Sequence, residues 1–426
     1  MTATEQNFLS RLADPAVVAD PYPVMAMIRE ASPYPTLDGA LIVLGRHADC
    51  SRILRDTRVS SQRGTSRLAT GATGGTGGTG ATGADGAGPS APRRAAMSFL
   101  SMDPPDHTRL RKLVSKAFTP RTIARLEPRI RVVTDGLLSA AAERHPGQLE
   151  LVSELAYPLP VRIICELLGV PADDHQRFAG WSARLAHSLQ PNFGGGDDDL
   201  DDIVAAREEF SAYFRELIAV RRARPGDDLL TELIRAEDEG SRLTEAELVA
   251  TAILLLVAGH ETTVGLISNA VLALLRHPDQ LAALRADPAL APAAVEETLR
   301  YDPPVQLTAR VARATIPIGP AEATDGALIL LLLAAAGRDP AVFADPDRFD
   351  LRRNAGGHLA FAAGPHFCLG APLARLEAAT ALTAFARRVT DPELADGGLS
   401  YKPNFNLRGP DRLLLHTGGT KPTPAT

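Results

Sequence analysis

Cysteine is scarce, with three in 426 residues. That excludes a disulfide scaffold and suits a reducing compartment. No run reaches the roughly 18 uninterrupted apolar residues a membrane span needs. The longest, Ala327–Ala336 and the region around Leu248–Ala258, read as buried elements. Basic excess is also missing. Lys plus Arg number 45 against 51 Asp plus Glu, a formal net charge of −6, which excludes a nucleic-acid binder working through concentrated positive charge. Aromatics are only 5%, and β-branched runs are few, which argues against an extended all-β architecture. The segment Met1–Asp14 is polar and carries no apolar signal core. A cytoplasmic protein is expected, with neither nucleic acid nor membrane as partner.

What is present is ample material for a core: 45% hydrophobic and 23% charged residues, the balance of an ordinary globular chain. Apolar residues recur with helical spacing over Thr122–Glu143, Asp201–Arg222, Glu245–His277 and Leu369–Arg388. Strand-like pieces are Gly39–Leu44, Ala309–Ile318 and Leu413–His416. The pattern predicts a mainly α fold with a small β part. No repeat and no dividing linker is visible, so residues 1–426 are expected to form a single domain. One segment stands apart. Gly71–Gly88 holds nine glycines in eighteen residues, the rest Ala, Thr and one Asp. It has no side chains to bury against the entropy of ordering, so a flexible loop is expected there.

Thr244-Glu245-Ala246-Glu247 reads as a capping box opening a helix that Pro278 ends. A helix this long and apolar must cross the middle of the protein. Its centre is Ala258-Gly259-His260-Glu261-Thr262-Thr263. Charge and hydroxyls inside a buried helix are costly, which points to function. Gly259 would let something flat approach the backbone. Glu261 places a proton source beside Thr262, whose hydroxyl can bond to the helix or to a ligand. His260-Glu261 also begins a zinc-protease pattern, but position 264 is Val, so that reading fails. A helix kink with satisfied polar groups is the alternative.

The second constellation is Phe361-Ala362-Ala363-Gly364-Pro365-His366-Phe367-Cys368-Leu369-Gly370, a Gly/Pro loop before a helix whose first turn holds Pro372. Cys368 there sits at a helix N-terminus, where dipole and amides favour a thiolate. It reads as a nucleophile, a haem ligand or a small buried residue. Cys50 and Cys165 read as ordinary buried residues.

Together these motifs resemble the cytochrome P450 family, in particular its soluble bacterial and actinobacterial members. Phe361-x-x-Gly364-x-x-x-Cys368-x-Gly370 resembles the haem-binding signature, and Ala258-Gly259-x-Glu261-Thr262-Thr263 the oxygen-activation motif. Glu297-x-x-Arg300 with Pro346-Asp347-Arg348-Phe349 resembles a paired structural motif. Asp20-Pro21-Tyr22-Pro23, Asp103-Pro104-Pro105-Asp106-His107-Thr108-x-Leu110-Arg111 and Arg338-Asp339-Pro340 resemble further features. The likeness runs from about residue 20 to 415. It departs at Ala362, where the family often has glycine, and at Gly71–Gly88, where it usually has a short helix over the substrate.

The resemblance implies a single-domain helical prism holding haem b, with Cys368 as the axial thiolate. Phe361 belongs to the cysteine signature and Gly259 to the distal helix. His107, Arg111, Arg310 and His366 would meet the haem propionates. Glu261 and Thr262 would deliver protons for the reduction of O2, and Glu297, Arg300 and Arg348 would form a buried ionic triad. The implied reaction inserts one oxygen atom of O2 into a small apolar organic substrate: a macrolide or other polyketide, a terpenoid or a peptide, free or carrier-bound. Its pocket would draw on Ser98–Met102, Ala183–Phe193, Ala258, Thr262, Pro304–Thr308 and Asn404–Leu407. No Gly-x-Gly-x-x-Gly opens a helix after a strand, so electrons would come from a separate ferredoxin and ferredoxin reductase, with Lys112, Lys116 and Arg375 on the docking face. A monomer is expected. Oxidative coupling, desaturation, or a non-catalytic haem-thiolate carrier or sensor are the alternatives.

Overall fold

The computed structural model describes residues 11, 14–70, 98–186, 200–238 and 240–422; the glycine-rich segment 71–88 lies outside them. In chain order the principal elements are α1 (Tyr22–Ala31), β1 (Tyr34–Thr36), β2 (Leu41–Leu44), α2 (His47–Ile53), β3 (Val59–Ser60), α3 (Asp106–Ala117), α4 (Glu127–Arg144) and β4 (Gln148–Glu150). Then follow α5 (Pro158–Leu167), α6 (His175–Ala186), α7 (Leu200–Ala223), α8 (Glu245–Arg276), α9 (Ala291–Tyr301), β5 (Leu307–Ala312), β6 (Leu328–Leu332), α10 (Ala371–Arg388), β7 (Glu393–Tyr401) and β8 (Pro410–His416). Helices dominate, as the periodicity predicts.

Among the described residues the β part is one five-stranded sheet, in the order β1-β2-β6-β5-β3, a three-stranded sheet β7-β8-β4, and three two-stranded pairs. Only β2 and β6 pair in parallel within the first sheet. Strand β6 is buried at every position, which is why its sequence is an unbroken apolar run rather than an alternating one. Where one strand is expected over Ala309–Ile318, the chain makes two: β5 stops at Ala312 and a separate strand spans Ile316–Ile318. The helix expected from Thr122 is likewise two, Pro120–Ala124 and α4, because Pro128 suits only a first helical turn.

The capping box forms as read: Thr244 Oγ1 accepts from the Glu247 amide and Glu247 reaches back to the Thr244 amide at 2.8 Å. Helix α8 is 32 residues, about 48 Å long at about 1.5 Å per residue. Its length and composition would suit a membrane span, yet it is the axle of the core, packed on α5, α7, α9 and α10.

One residue of that core is out of place. Glu377 on α10 is only 2% exposed, and its Oε1 has no hydrogen-bond partner among the described residues. Burial pushes its carboxyl up to about 8. A raised acid favours the fold below its unfolded value near 4.5, and that advantage fades as pH climbs toward 8. At pH 7 the loss is about 3 kcal/mol, at 1.36 kcal/mol per pKa unit. Glu377→Gln should therefore flatten the decline in unfolding free energy between pH 4.5 and 8. Denaturant titrations across that range check it, and parallel pH profiles for the two proteins contradict it.

Candidate active site

The Cys368 loop is held by its own backbone. The Cys368 amide donates to the Phe361 carbonyl at 3.0 Å, and Gly364–His366 makes a single 3₁₀ turn. Gly364 has φ +70°, and a Cβ there would lie 2.5 Å from the Leu54 carbonyl oxygen. No other residue fits. Ala362 also adopts a left-handed φ of 57°. Alanine tolerates this at a cost of about 1–2 kcal/mol, so the loop keeps its shape despite the missing glycine. Phe361 lies beneath the Arg375 guanidinium, 4.6 Å from its ring centre.

Helix α10 begins at Ala371, just beyond Cys368. Burial raises the Cys368 thiol, while the Gly370 and Ala371 amides and the Arg111 and Arg375 charges pull it back. Burial wins. The helix terminus alone does not make the thiolate expected from sequence; a bound cation is needed, since a metal deprotonates a coordinating thiol outright. Cys50 and Cys165 are buried free cysteines; burial pushes Cys165 up to about 12 and Cys50 higher still. Neither environment favours a thiolate.

Beside this loop lies a cluster of basic side chains. His107 and Arg111 share a face of α3, the His107 and His366 rings are 4.1 Å apart, and Arg310 comes from β5. Arg63 joins them, close enough to disfavour the Arg310 charge. Burial holds His366 down to about 3, with His107 and Arg310 adding to the effect. Burial and Arg63 hold Arg310 down to about 10. The nearby carboxylate of Asp103 already serves Ser60, the Ser61 amide and Arg313. Among the described residues Arg310 finds only the Thr308 hydroxyl and the Ala309 carbonyl, and both His107 ring nitrogens are buried without a partner.

On α8, Thr262 and Thr263 each donate to the carbonyl four residues back, at 2.8 Å, so the helix is not broken there. A Cβ at Gly259 would meet the Ile164 side chain at an ordinary 3.8 Å; alanine would fit that space. Glu261 is held by Lys402 Nζ at 2.8 Å and lies 3.3 Å from His260 Nε2. Burial favours its neutral form, but His260 and Lys402 outweigh it and hold the carboxyl at about 2. At neutral pH Glu261 is thus a carboxylate clamped between His260 and Lys402. Glu261, Thr262, Gly265, Pro304, Lys402 and Leu407 line one small pocket. The segments 304–308 and 404–408 are tied together there, Gln306 N to Asn406 O at 2.9 Å and Arg408 N to Pro304 O at 2.8 Å. Residues 187–193 of the expected pocket lie outside the described residues.

The ionic triad differs from expectation by one member. Glu297 and Arg300 are fully buried and bidentate, at 2.7 and 2.8 Å. The third cation is Arg353, whose Nε donates to Glu297 at 3.2 Å. Arg348 contributes its carbonyl, while its side chain is 64% exposed. Arg375, expected on a docking face, is committed to Glu296 at 2.6 and 3.0 Å.

The family model for cytochrome P450 matches residues 90–390. The chain is a cytochrome P450. The cytochrome P450 monooxygenase PikC of Streptomyces venezuelae is 42% identical over 408 residues, which covers 92% of this P450 and 89% of PikC. The ligand-free CYP164A2 of Mycobacterium smegmatis shares 46% identity with a TM-score of 0.86, covering 96% of this P450 and 100% of that chain. P450BioI in complex with hexadec-9Z-enoic acid ligated acyl carrier protein has a TM-score of 0.82 at 34% identity, covering 95% of this P450 and 99% of its own chain. This P450 is a monooxygenase by family. The family carries haem, and its bacterial members take electrons from redox partners.

The residues of this P450 fit that group. Basic side chains that disfavour one another's charge, and histidine nitrogens without a partner among the described residues, suit an anion, and a pair of carboxylates supplies one. A free, half-buried thiol stands two residues from His366. Arg63 and Lys402 escaped the sequence reading. Each is distant in sequence from its partners, and no motif flags either.

Proposed function

We propose that this P450 inserts one atom of O2 into a medium or large apolar natural product of macrolide, other polyketide, terpenoid or peptide type, as part of secondary metabolism in the cytoplasm. It acts as a single-domain monomer. Haem b would be bound by Cys368, with its propionates on His107, Arg111, Arg310, His366 and Arg63; when bound, it supplies the reductive activation of O2. The observation that carries this reading is the cluster of basic side chains beside the Cys368 loop, with Arg310 and the His107 ring buried and no carboxylate among the described residues bonded to either. Electrons come from a separate ferredoxin and its reductase. Acyl carrier protein bound to the structural relative P450BioI supports a carrier-bound substrate as one form.

The residues' own work is positional and protonic. The Phe361–Gly370 loop fixes the thiol, and the amides of Gly370 and Ala371 bond to its sulfur. Thr262 holds its hydroxyl proton on the Ala258 carbonyl at 2.8 Å, leaving lone pairs to accept a proton from the Glu261 side. Thr262 passes a proton into the pocket only by releasing Ala258, and a proton arriving from the Glu261 side replaces it.

Product analysis with a reduced ferredoxin system and a panel of apolar natural products tests the reading. Substrates gaining one oxygen are expected; coupled or desaturated products, or binding without turnover, would contradict it. Thr262→Ala should keep haem but divert electrons, raising peroxide per reducing equivalent and lowering product on the order of a hundredfold, the low end of what a positioned proton donor contributes.

A further inference from the structure

The polar centre of α8 carries a proton that the residues named so far do not explain. His260 is fully buried. Its Nδ1 lies 3.0 Å from the Leu256 carbonyl oxygen. A carbonyl only accepts, so Nδ1 must carry hydrogen. Its Nε2 faces Glu261 Oε1 at 3.3 Å. An imidazole protonated on Nδ1 alone would turn a bare lone pair toward a carboxylate oxygen, which repels. The contact is therefore favourable only with a proton held in it, as an ion pair rather than an aligned hydrogen bond.

The other carboxylate oxygen, Oε2, accepts from Lys402, which follows β7 and is 27% exposed. From α5's N-terminal side, Tyr157 packs edge-on against the His260 ring at 5.7 Å. Burial and the Glu261 charge push its phenol well above the usual range, so it stays neutral. Arg408, from the far side of the same pocket, is paired with Asp302 at 2.7 Å. Glu261 is thus gripped by one side chain inside the core and by one that reaches water, and it shares the pocket with Thr262.

We propose that His260 and Lys402 are positioning residues of the proton relay: they clamp Glu261 between them, and the proton on the His260–Glu261 contact is the one Thr262 draws on. This rests on the reading of Glu261 and Thr262 as a relay. When that proton leaves through the pocket, Glu261 remains a carboxylate and His260 becomes neutral. A proton from bulk water, entering beside the exposed end of Lys402, restores the pair. No electron moves.

Infrared titration of the ferric holoenzyme tests the clamp without turnover, with the Glu261 band identified by subtraction of Glu261→Gln. In the unsubstituted protein no protonated Glu261 carboxyl band should appear between pH 8 and 5. In Lys402→Met or His260→Gln a band should appear within that range, and Lys402→Arg should restore the original behaviour. Variants without a band overturn the clamp.

The stored proton has a separate readout. In a ferredoxin-driven assay, His260→Gln should raise peroxide per reducing equivalent on the order of tenfold and enlarge the solvent isotope effect. The spectrum of the reduced carbon-monoxide form should not change. If both quantities stay at their original values, His260 stores no proton for the relay. If Thr262→Ala also leaves them unmoved, it is the relay reading that fails, and the infrared result still judges the clamp.

Discussion

Glu297→Ala should destabilise the folded protein by about 3–5 kcal/mol, the cost of leaving a buried charge unpaired. The geometry explains the size. Arg300 has five N–H donors, and each has an acceptor: Nε and Nη2 on Glu297, Nη1 on the Gly337 and Pro346 carbonyls, and Nη2 again on the Arg348 carbonyl. Glu297 in turn accepts from the Asp350 amide at 2.9 Å and from Arg353. Gly337 packs so closely on Arg300 that a Cβ would lie 2.3 Å from the Arg300 carbonyl oxygen. Removing the carboxylate strands Arg300 with two of its donors unmet and frees the 346–353 segment that leads to the cysteine loop. Arg348→Met is the control. Its side chain is at the surface, in a solvent-screened pair with Asp350 at 3.5 Å, and the ionic core uses only its carbonyl, so its effect should stay within about 0.5 kcal/mol. Denaturant midpoints of the haem-loaded proteins decide. Equal losses in the two variants would return Arg348 to the ionic core and remove Arg353.

The fold class was legible because helical periodicity and the capping box are local signals, and Thr244 and Glu247 pair as their spacing requires. The cysteine loop was legible for the same reason: Gly364, Pro365 and Cys368 lie within one tight turn. What the sequence could not show is pairing at a distance. Lys402 lies 141 residues from Glu261, and the charge it brings helps hold that acid as a clamped carboxylate. Arg348 and Arg353 are both arginines beyond the same proline, and only packing decides which of them turns inward. Arg63 sits in a polar stretch before the glycine-rich segment, and only the fold brings it to Arg310. The boundary at Ala312 was missed because β5 and the next strand share one apolar rhythm; the break between them is a turn without a strong turn residue.

The account stands on Cys368 as the thiolate that binds haem. The loop presents its sulfur to the Gly370 and Ala371 amides, while burial keeps the free thiol protonated until a metal takes it. A thiolate donates more electron density to haem iron than the neutral ligands a serine or water could offer. The reduced, carbon-monoxide-bound protein should therefore show the red-shifted Soret band of thiolate ligation. Cys368→Ser should abolish that band, whereas Cys50→Ser and Cys165→Ser, whose thiols are buried in the core, should keep it. That absorption spectrum, recorded on the four proteins, is the most direct measurement. A band lost only in Cys368→Ser is the result predicted here; a band that survives in Cys368→Ser, or is absent from the unsubstituted protein, would contradict the assignment of the site.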